Sequence, residues 1–316
     1  VKDIKVKSNR KPLHIAVLGQ WNWLEVMAEL IRRAGMTCEI LPDFRRWSFI
    51  KWILSGGWRR FDVIHHVRRL GWSVGVAFAV LHKPIIWHWI GADCMNYGRY
   101  FHRGRSWRAR LVRRAVHKWA FAHLADSPEV ADDLGRYGIH AEVVRLLPKT
   151  IEAQVIPLPE KPCVLSYWAP EHRDLYRAQI IMQLAKAFPD IPFLIAGDDG
   201  KDMIAPENVK FFGRLPNLTD IYPKISVYIR LVEYDSISAI VLEALARGRY
   251  VIYSKEFPYA ELAKNFDEAQ KALVKVLAAK EPNKAGSEYV RQNYSIQQQV
   301  ECLKKLYSEW FGGVKP

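Results

Sequence analysis

The chain has 316 residues, half of them hydrophobic, which is more than one ordinary core needs and enough for two α/β domains. Its net charge of +14 excludes an acidic, solvating chain, and four scattered cysteines without a Cys-x-x-Cys pair exclude a disulfide scaffold or a cysteine zinc site. No apolar run reaches the ~18 to 20 residues that span a bilayer, and residues 1–12 are basic and polar with no signal-peptide core after them. The expectation is a cytoplasmic protein with reduced thiols.

The charge is unevenly placed. Residues 1–150 carry 26 Lys and Arg against 12 Asp and Glu, the remainder carries 21 of each, and ten of the twelve tryptophans fall within the first 120 residues. The first half is therefore expected to meet something anionic, amphipathic or both.

In chain order, residues 13–18 form an apolar run that ends at Gly19 and Gln20 before a helical pattern from Trp23 to Ile31, which predicts a strand, a glycine turn and a helix. Further strands are predicted at 37–41, 61–65 and 84–88. Ser127, Pro128 and Gly138 predict a helix with a capping serine, a proline in its first position and a glycine stop. Four prolines between 147 and 162 mark a linker, with the domain boundary near 155. The alternation then repeats, with strands at 163–167, 192–196, 209–212, 227–230 and 250–253. Helices are predicted at 175–188, near 218–222, at 236–246 and at 295–311. Strands alternating with helices imply parallel, doubly wound sheets.

Such sheets bind ligands beyond the carboxyl ends of their strands, where helix N-termini offer free N–H groups to phosphate. The segment 235–248 places Asp235, Ser236, Ile237 and Ser238 at the start of a helix and Glu243 two turns on. Both acids reach one cleft only if Asp235 lies in the loop before the helix.

Four segments in order carry a family resemblance. They are 193–200, which ends in Gly197-Asp-Asp-Gly200; 208–214, with Gly213 and Arg214; the strand 225–230; and the run from Asp235 to Glu243-Ala-Leu-Ala and Gly248. With them, residues 163–253 resemble the C-terminal domain of the retaining family-4 (glycogen-synthase-like, group 1) glycosyltransferases of the GT-B fold. The first half resembles that family more loosely, through 61–65, 84–93 and 125–139. The resemblance implies two Rossmann-like domains facing across a cleft, 1–155 for the acceptor and 156–294 for the donor, with 295–316 a helix packing back toward the first. It implies transfer of a sugar from a nucleotide-diphosphate donor with retention of configuration, and no cofactor or metal.

The resemblance further implies that Glu243 accepts hydrogen bonds from the donor ribose, that amides of Ser236, Ile237 and Ser238 hold the diphosphate, and that Gly213, Arg214, Leu215 and Pro216 line the base pocket with Asn217 nearby. At the first acidic position the family has Glu, whereas this chain has Asp235, with Glu233 two residues earlier. The family's Arg and Lys after the first C-terminal strand have no clear match; Arg173 is the candidate diphosphate cation, with Arg230 and Arg214 as alternates. The family's N-domain histidine falls on Ile90, leaving His88 and Asp93 nearby as catalytic candidates, with a core histidine as the other reading of His88. Gly19 and Gln20 sit at a strand end that suits donor phosphate or acceptor. Asp198 and Asp199 read as a solvated turn pair rather than a metal site.

Two basic aromatic stretches, 44–60 and 100–118, remain. On a helix the first puts Trp47, Ile50 and Leu54 on one face, as in interfacial anchors. That suits an anionic membrane and a lipid-linked or glycan acceptor. Interleaved cations and aromatics equally suit nucleic acid, so a DNA-modifying glycosyltransferase, or a catalytically degenerate GT-B protein that binds membrane or nucleic acid, is the alternative.

Overall fold

A computed structural model describes residues 12–19, 21–41, 51–67 and 83–312. The chain divides into two compact units, Val1–Leu147 with Ile296–Pro316, and Pro148–Ser295. Residues 148–155 belong to the second unit by their contacts: Thr150 donates to Glu243, and Val155 lies against Gly248.

The first unit is a six-stranded sheet of β1 (His14–Gly19), β2 (Thr37–Ile40), β3 (Val63–Val67), β4 (Ile85–Trp89), β5 (Ala122–Ala125) and β6 (Glu142–Val143). Its order is β2-β1-β3-β4-β5-β6 and every pairing is parallel. β3 and β4 are buried along their whole length, as strands covered on both faces must be. Around them lie α1 (Trp21–Arg33), the short α2 (Ala92–Asn96), α3 (Trp107–Arg114) and α4 (Pro128–Gly135). The Ser127 hydroxyl accepts from Val130 N at 3.3 Å and caps α4, with Pro128 in its first position. Trp87 and Trp89 stack at 5.0 Å inside this core, and Trp52, Trp58 and Trp119 pack against it. Much of the tryptophan excess of the first half is thus core.

The second unit repeats the plan with β7 (Val164–Tyr167), β8 (Phe193–Ala196), β9 (Val209–Phe211), β10 (Val227–Arg230), β11 (Tyr250–Tyr253) and β12 (Glu261–Leu262), in the order β12-β11-β10-β7-β8-β9. Its helices are α5 (Ala178–Ala187), α6 (Ala239–Ala246), α7 (Phe266–Leu277) and α8 (Lys284–Asn293). The helix expected near 218–222 is a turn leading into a 3-10 segment, Tyr222–Lys224, where Pro223 interrupts the pattern. A last helix, α9 (Ile296–Phe311), returns to the first unit. Among the described residues no helix is long and apolar enough to cross a membrane.

Candidate functional site

The second unit gathers most of the sequence-selected residues at the carboxyl ends of β7, β8, β10 and β11. α6 starts at Ala239, three residues later than the pattern predicts, so Asp235 does lie in the preceding loop. The cause is Lys255, just past β11. Its Nζ donates to the carbonyls of Asp235 and Ser236 at 2.9 and 3.0 Å, which holds those peptides out of the helix. Because a trans peptide points its C=O and N–H in opposite directions, the N–H groups of Ser236 and Ile237 face away from Lys255. The N–H groups of Ile237 and Ser238 donate to no acceptor among the described residues, and Ser238, the N-cap, gives α6 no side-chain cap. This end of the helix therefore offers uncommitted donors and the positive pole of its dipole.

Glu243 sits half-buried one turn into α6. Its Oε1 accepts from the Thr150 hydroxyl and its Oε2 from the buried Tyr222 hydroxyl at 2.7 Å. Burial, reinforced by the Glu243 carboxylate, pushes the Tyr222 phenol well above its ordinary pKa. Arg247 lies over the Tyr222 ring at 4.4 Å and donates to the Glu243 carbonyl at 3.0 Å.

The acids at the first position separate cleanly. Asp235 is enclosed: its Oδ2 accepts from Arg230 Nε at 2.6 Å and from Tyr253 at 2.7 Å. Burial alone would raise its pKa, but Arg230, Tyr253 and Lys255 outweigh burial and hold it below the usual carboxylate range. Glu233 is exposed.

The three arginines considered for phosphate are sorted in the same way. Arg173 grips Asp198 with Nε at 2.6 Å and Nη2 at 3.0 Å, and spends a further N–H on the Lys201 carbonyl. Arg230 is committed to Asp235. Arg214 is exposed and makes no hydrogen bond or ion pair among the described residues. The turn pair divides, against expectation: Asp199 is exposed and bound to Lys201, but Asp198 is fully buried, taking bonds from Arg173, Trp168 and Gly200. Gly213 has φ +64°, and its N–H reaches the Asp198 carbonyl at 2.9 Å while its own carbonyl accepts from Gly197. Leu215 follows, half-buried.

In the first unit Gly19 and His88 both pair with Val67, on either side of β3 at the carboxyl ends of β1 and β4. His88 is entirely buried in β4, the core reading of that residue. Its Nε2 lies 2.9 Å from the Val144 carbonyl and its Nδ1 3.2 Å from His65 Nε2; His65 Nδ1 lies 2.7 Å from the Tyr307 hydroxyl. A carbonyl only accepts, so His88 carries its proton on Nε2, His65 donates from Nε2 to His88, and Tyr307 donates to His65. Burial holds the His88 pKa down to about 4. Both ring nitrogens are used inside the core, which leaves none for a sugar. Asp93 lies near the start of α2, 5% exposed. Gly19 has φ +136°, and a Cβ there would overlap the Val67 carbonyl, so this glycine serves the close approach of β1 and β3. Gln20 lies outside the described residues, as do Trp47 and Ile50; Leu54 is exposed.

The second basic stretch is a surface. Arg99, Arg103, Arg105, Arg108, Arg110, Arg114 and Lys118 are exposed, as are Tyr100 and Trp107. No acidic residue occurs between 97 and 118, and none of these cations forms an ion pair among the described residues. Arg113 is the exception in role, binding the carbonyls of Phe101 and Gly104 at 2.6 and 2.7 Å. Arg99 and Arg108 lie over the rings of Tyr100 and Trp107.

No family model matches the chain, and no curated protein matches it. Solved structures do. A sucrose-phosphate synthase from Thermosynechococcus elongatus superposes with a TM-score of 0.70 over 95% of this chain and 99% of its own, at 15% identity. A glycosyltransferase from Rickettsia africae ESF-5 gives 0.68 over 96% and 100%, at 11% identity. The pneumococcal O-GlcNAc transferase GtfA, in complex with UDP and GlcNAc, gives 0.58 over 82% of this chain and 60% of that chain, at 12% identity. The chain has the GT-B fold. In the second unit of this GT-B chain, the strand ends that a doubly wound sheet devotes to ligands are those that carry Asp198, Arg230 and Lys255. Thr150, Tyr222, Tyr253 and Lys255 are the residues that the sequence did not select. Lys255 was within reach of the same logic, since it follows the end of a predicted strand; Thr150 and Tyr222 carry no local signal.

Proposed function

We propose that the chain is a glycosyltransferase that takes a sugar from a nucleotide-diphosphate donor and transfers it with retention of configuration. The donor lies on the second unit. Glu243 receives the ribose hydroxyls, the Ile237 and Ser238 amides with the α6 N-terminus receive the diphosphate, and the Gly213 to Leu215 turn flanks the base. Arg214, uncommitted among the described residues, is the cation for the diphosphate, in place of Arg173 and Arg230. The observation that carries the reading is the juxtaposition of an uncapped helix start with a carboxylate one turn on, in a fold shared with glycosyltransferases. One of these neighbours was solved with UDP. Stabilising charge on the departing diphosphate is the main catalytic contribution expected of such a site, supplied here by amides and Arg214 without a metal. Asp235 acts through the loop rather than on the sugar. Replacing Glu243 by Ala should abolish binding of a nucleoside diphosphate measured by calorimetry, and unchanged affinity refutes the assignment. NMR of the product anomer tests retention.

The acceptor is proposed to be lipid-linked and met at an anionic membrane surface on the cytoplasmic side, through the 99–118 surface of the first unit. Unpaired cations neutralise headgroup phosphate, while Tyr100 and Trp107 suit the interface.

A further inference from the structure

We infer that Thr150 and Tyr222 are positioning residues that aim the Glu243 carboxylate at a ribose diol, and so set the enzyme's preference for ribonucleotide donors. The inference rests on the donor reading of Glu243 given above. A carboxylate offers about four acceptor positions over its two oxygens. Thr150 occupies one on Oε1 and Tyr222 one on Oε2, so about one remains on each oxygen, the pattern that two adjacent hydroxyls can fill.

The brace is itself held. Tyr222 is fully buried, and its ring lies against Arg247 at 4.4 Å, so the position of its hydroxyl beside Glu243 is set by packing. Thr150 belongs to the short 3-10 turn Lys149–Ile151. The chain beyond it is tied to the far end of α6 by Ile156 N to the Arg247 carbonyl at 3.2 Å, and by Arg249, whose guanidinium binds the carbonyls of Ile156 and Pro157. A glutamate on a helix otherwise loses rotamer freedom when it binds. Two fixed hydroxyl donors remove that freedom in advance, which leaves more of the contact as affinity.

The roles of Thr150 and Tyr222 as ordinary packing and as braces differ in one measurable respect. A brace matters only to a ligand that uses the carboxylate. Calorimetry with UDP, GDP, ADP and CDP, each compared with its 2′,3′-dideoxy form, reads this directly on the full chain. The variants are Thr150→Val, which keeps the shape and removes the donor, Thr150→Ser, which restores the donor, and Tyr222→Phe. For the best-bound nucleotide, Thr150→Val and Tyr222→Phe should each weaken the ribose form about fivefold, the cost of immobilising a side chain that is no longer braced. The dideoxy form should shift less than about twofold, and Thr150→Ser should bind as the parent does. Equal weakening of both forms, or no weakening, with a parent protein that prefers ribose, overturns this inference alone. A parent protein that binds both forms equally, or none of the four nucleotides, overturns the donor reading of Glu243 and this inference with it. Should Tyr222→Phe unfold, the Thr150 pair decides the matter.

Discussion

Arg173, Arg230 and Arg214 look alike in the sequence and differ in what lies within reach. Asp198 is buried and Arg173 supplies two of its bonds, chiefly lowering the Asp198 pKa through that hydrogen bond. Removing one partner of such a pair leaves a charge in the core, so Arg173→Ala should lower the midpoint of urea denaturation. Arg214→Ala should leave stability within about 0.5 kcal/mol while weakening nucleoside diphosphate binding. The reverse pattern would make Arg173 the ligand. At this scale the sequence was legible where proximity follows from local spacing, as for Asp235, Ser238 and Glu243, which lie within nine residues around the beginning of one helix. It was silent where a partner is distant: Asp198 is 25 residues from Arg173, and Val144 is 56 residues from His88.

Among elements, the strand interior is where pH acts. His65, His88 and His123 lie in β3, β4 and β5, and burial lowers the pKa of each, to about 4 for His88 and His123. The unfolded chain takes up these protons near pH 6.5 while the fold refuses them. Stability is therefore lost as pH falls below about 6.5 and goes on falling toward 4, at about 2 kcal/mol for each of His88 and His123 by pH 5. Asp198 and Asp235, with folded pKa values below their unfolded ones, add their losses only at lower pH. Thermal melts at pH 7.5 and pH 5 check this, and equal midpoints would refute it. β10 and β11 were readable to the residue because four-residue apolar strands between turns leave a clear pattern. β6 and β12, two residues each, are too short to leave a period. The start of α6 was read three residues early because Lys255, far along the chain, takes the carbonyls of Asp235 and Ser236 that a helix would use.

For the whole molecule, the charge asymmetry and the doubled α/β alternation were plain in the sequence, and both units follow from them. Cosedimentation with vesicles of phosphatidylglycerol and of phosphatidylcholine, at low and high salt, tests the 99–118 surface. Binding to the anionic vesicles alone, weakened by salt and by Trp107→Ala, is expected; preference for DNA over both vesicles would overturn the membrane reading.

The first unit is also discontinuous: β3 meets α9 through His65 and Tyr307, which are 242 residues apart. A ribosome adding about 5 to 20 residues per second makes His65 and then needs on the order of ten to fifty seconds before Tyr307 exists. The second unit, an unbroken stretch, is completed within that interval. The half that is translated first is thus the half that finishes last, and until then its histidine pair waits without the hydroxyl that closes it.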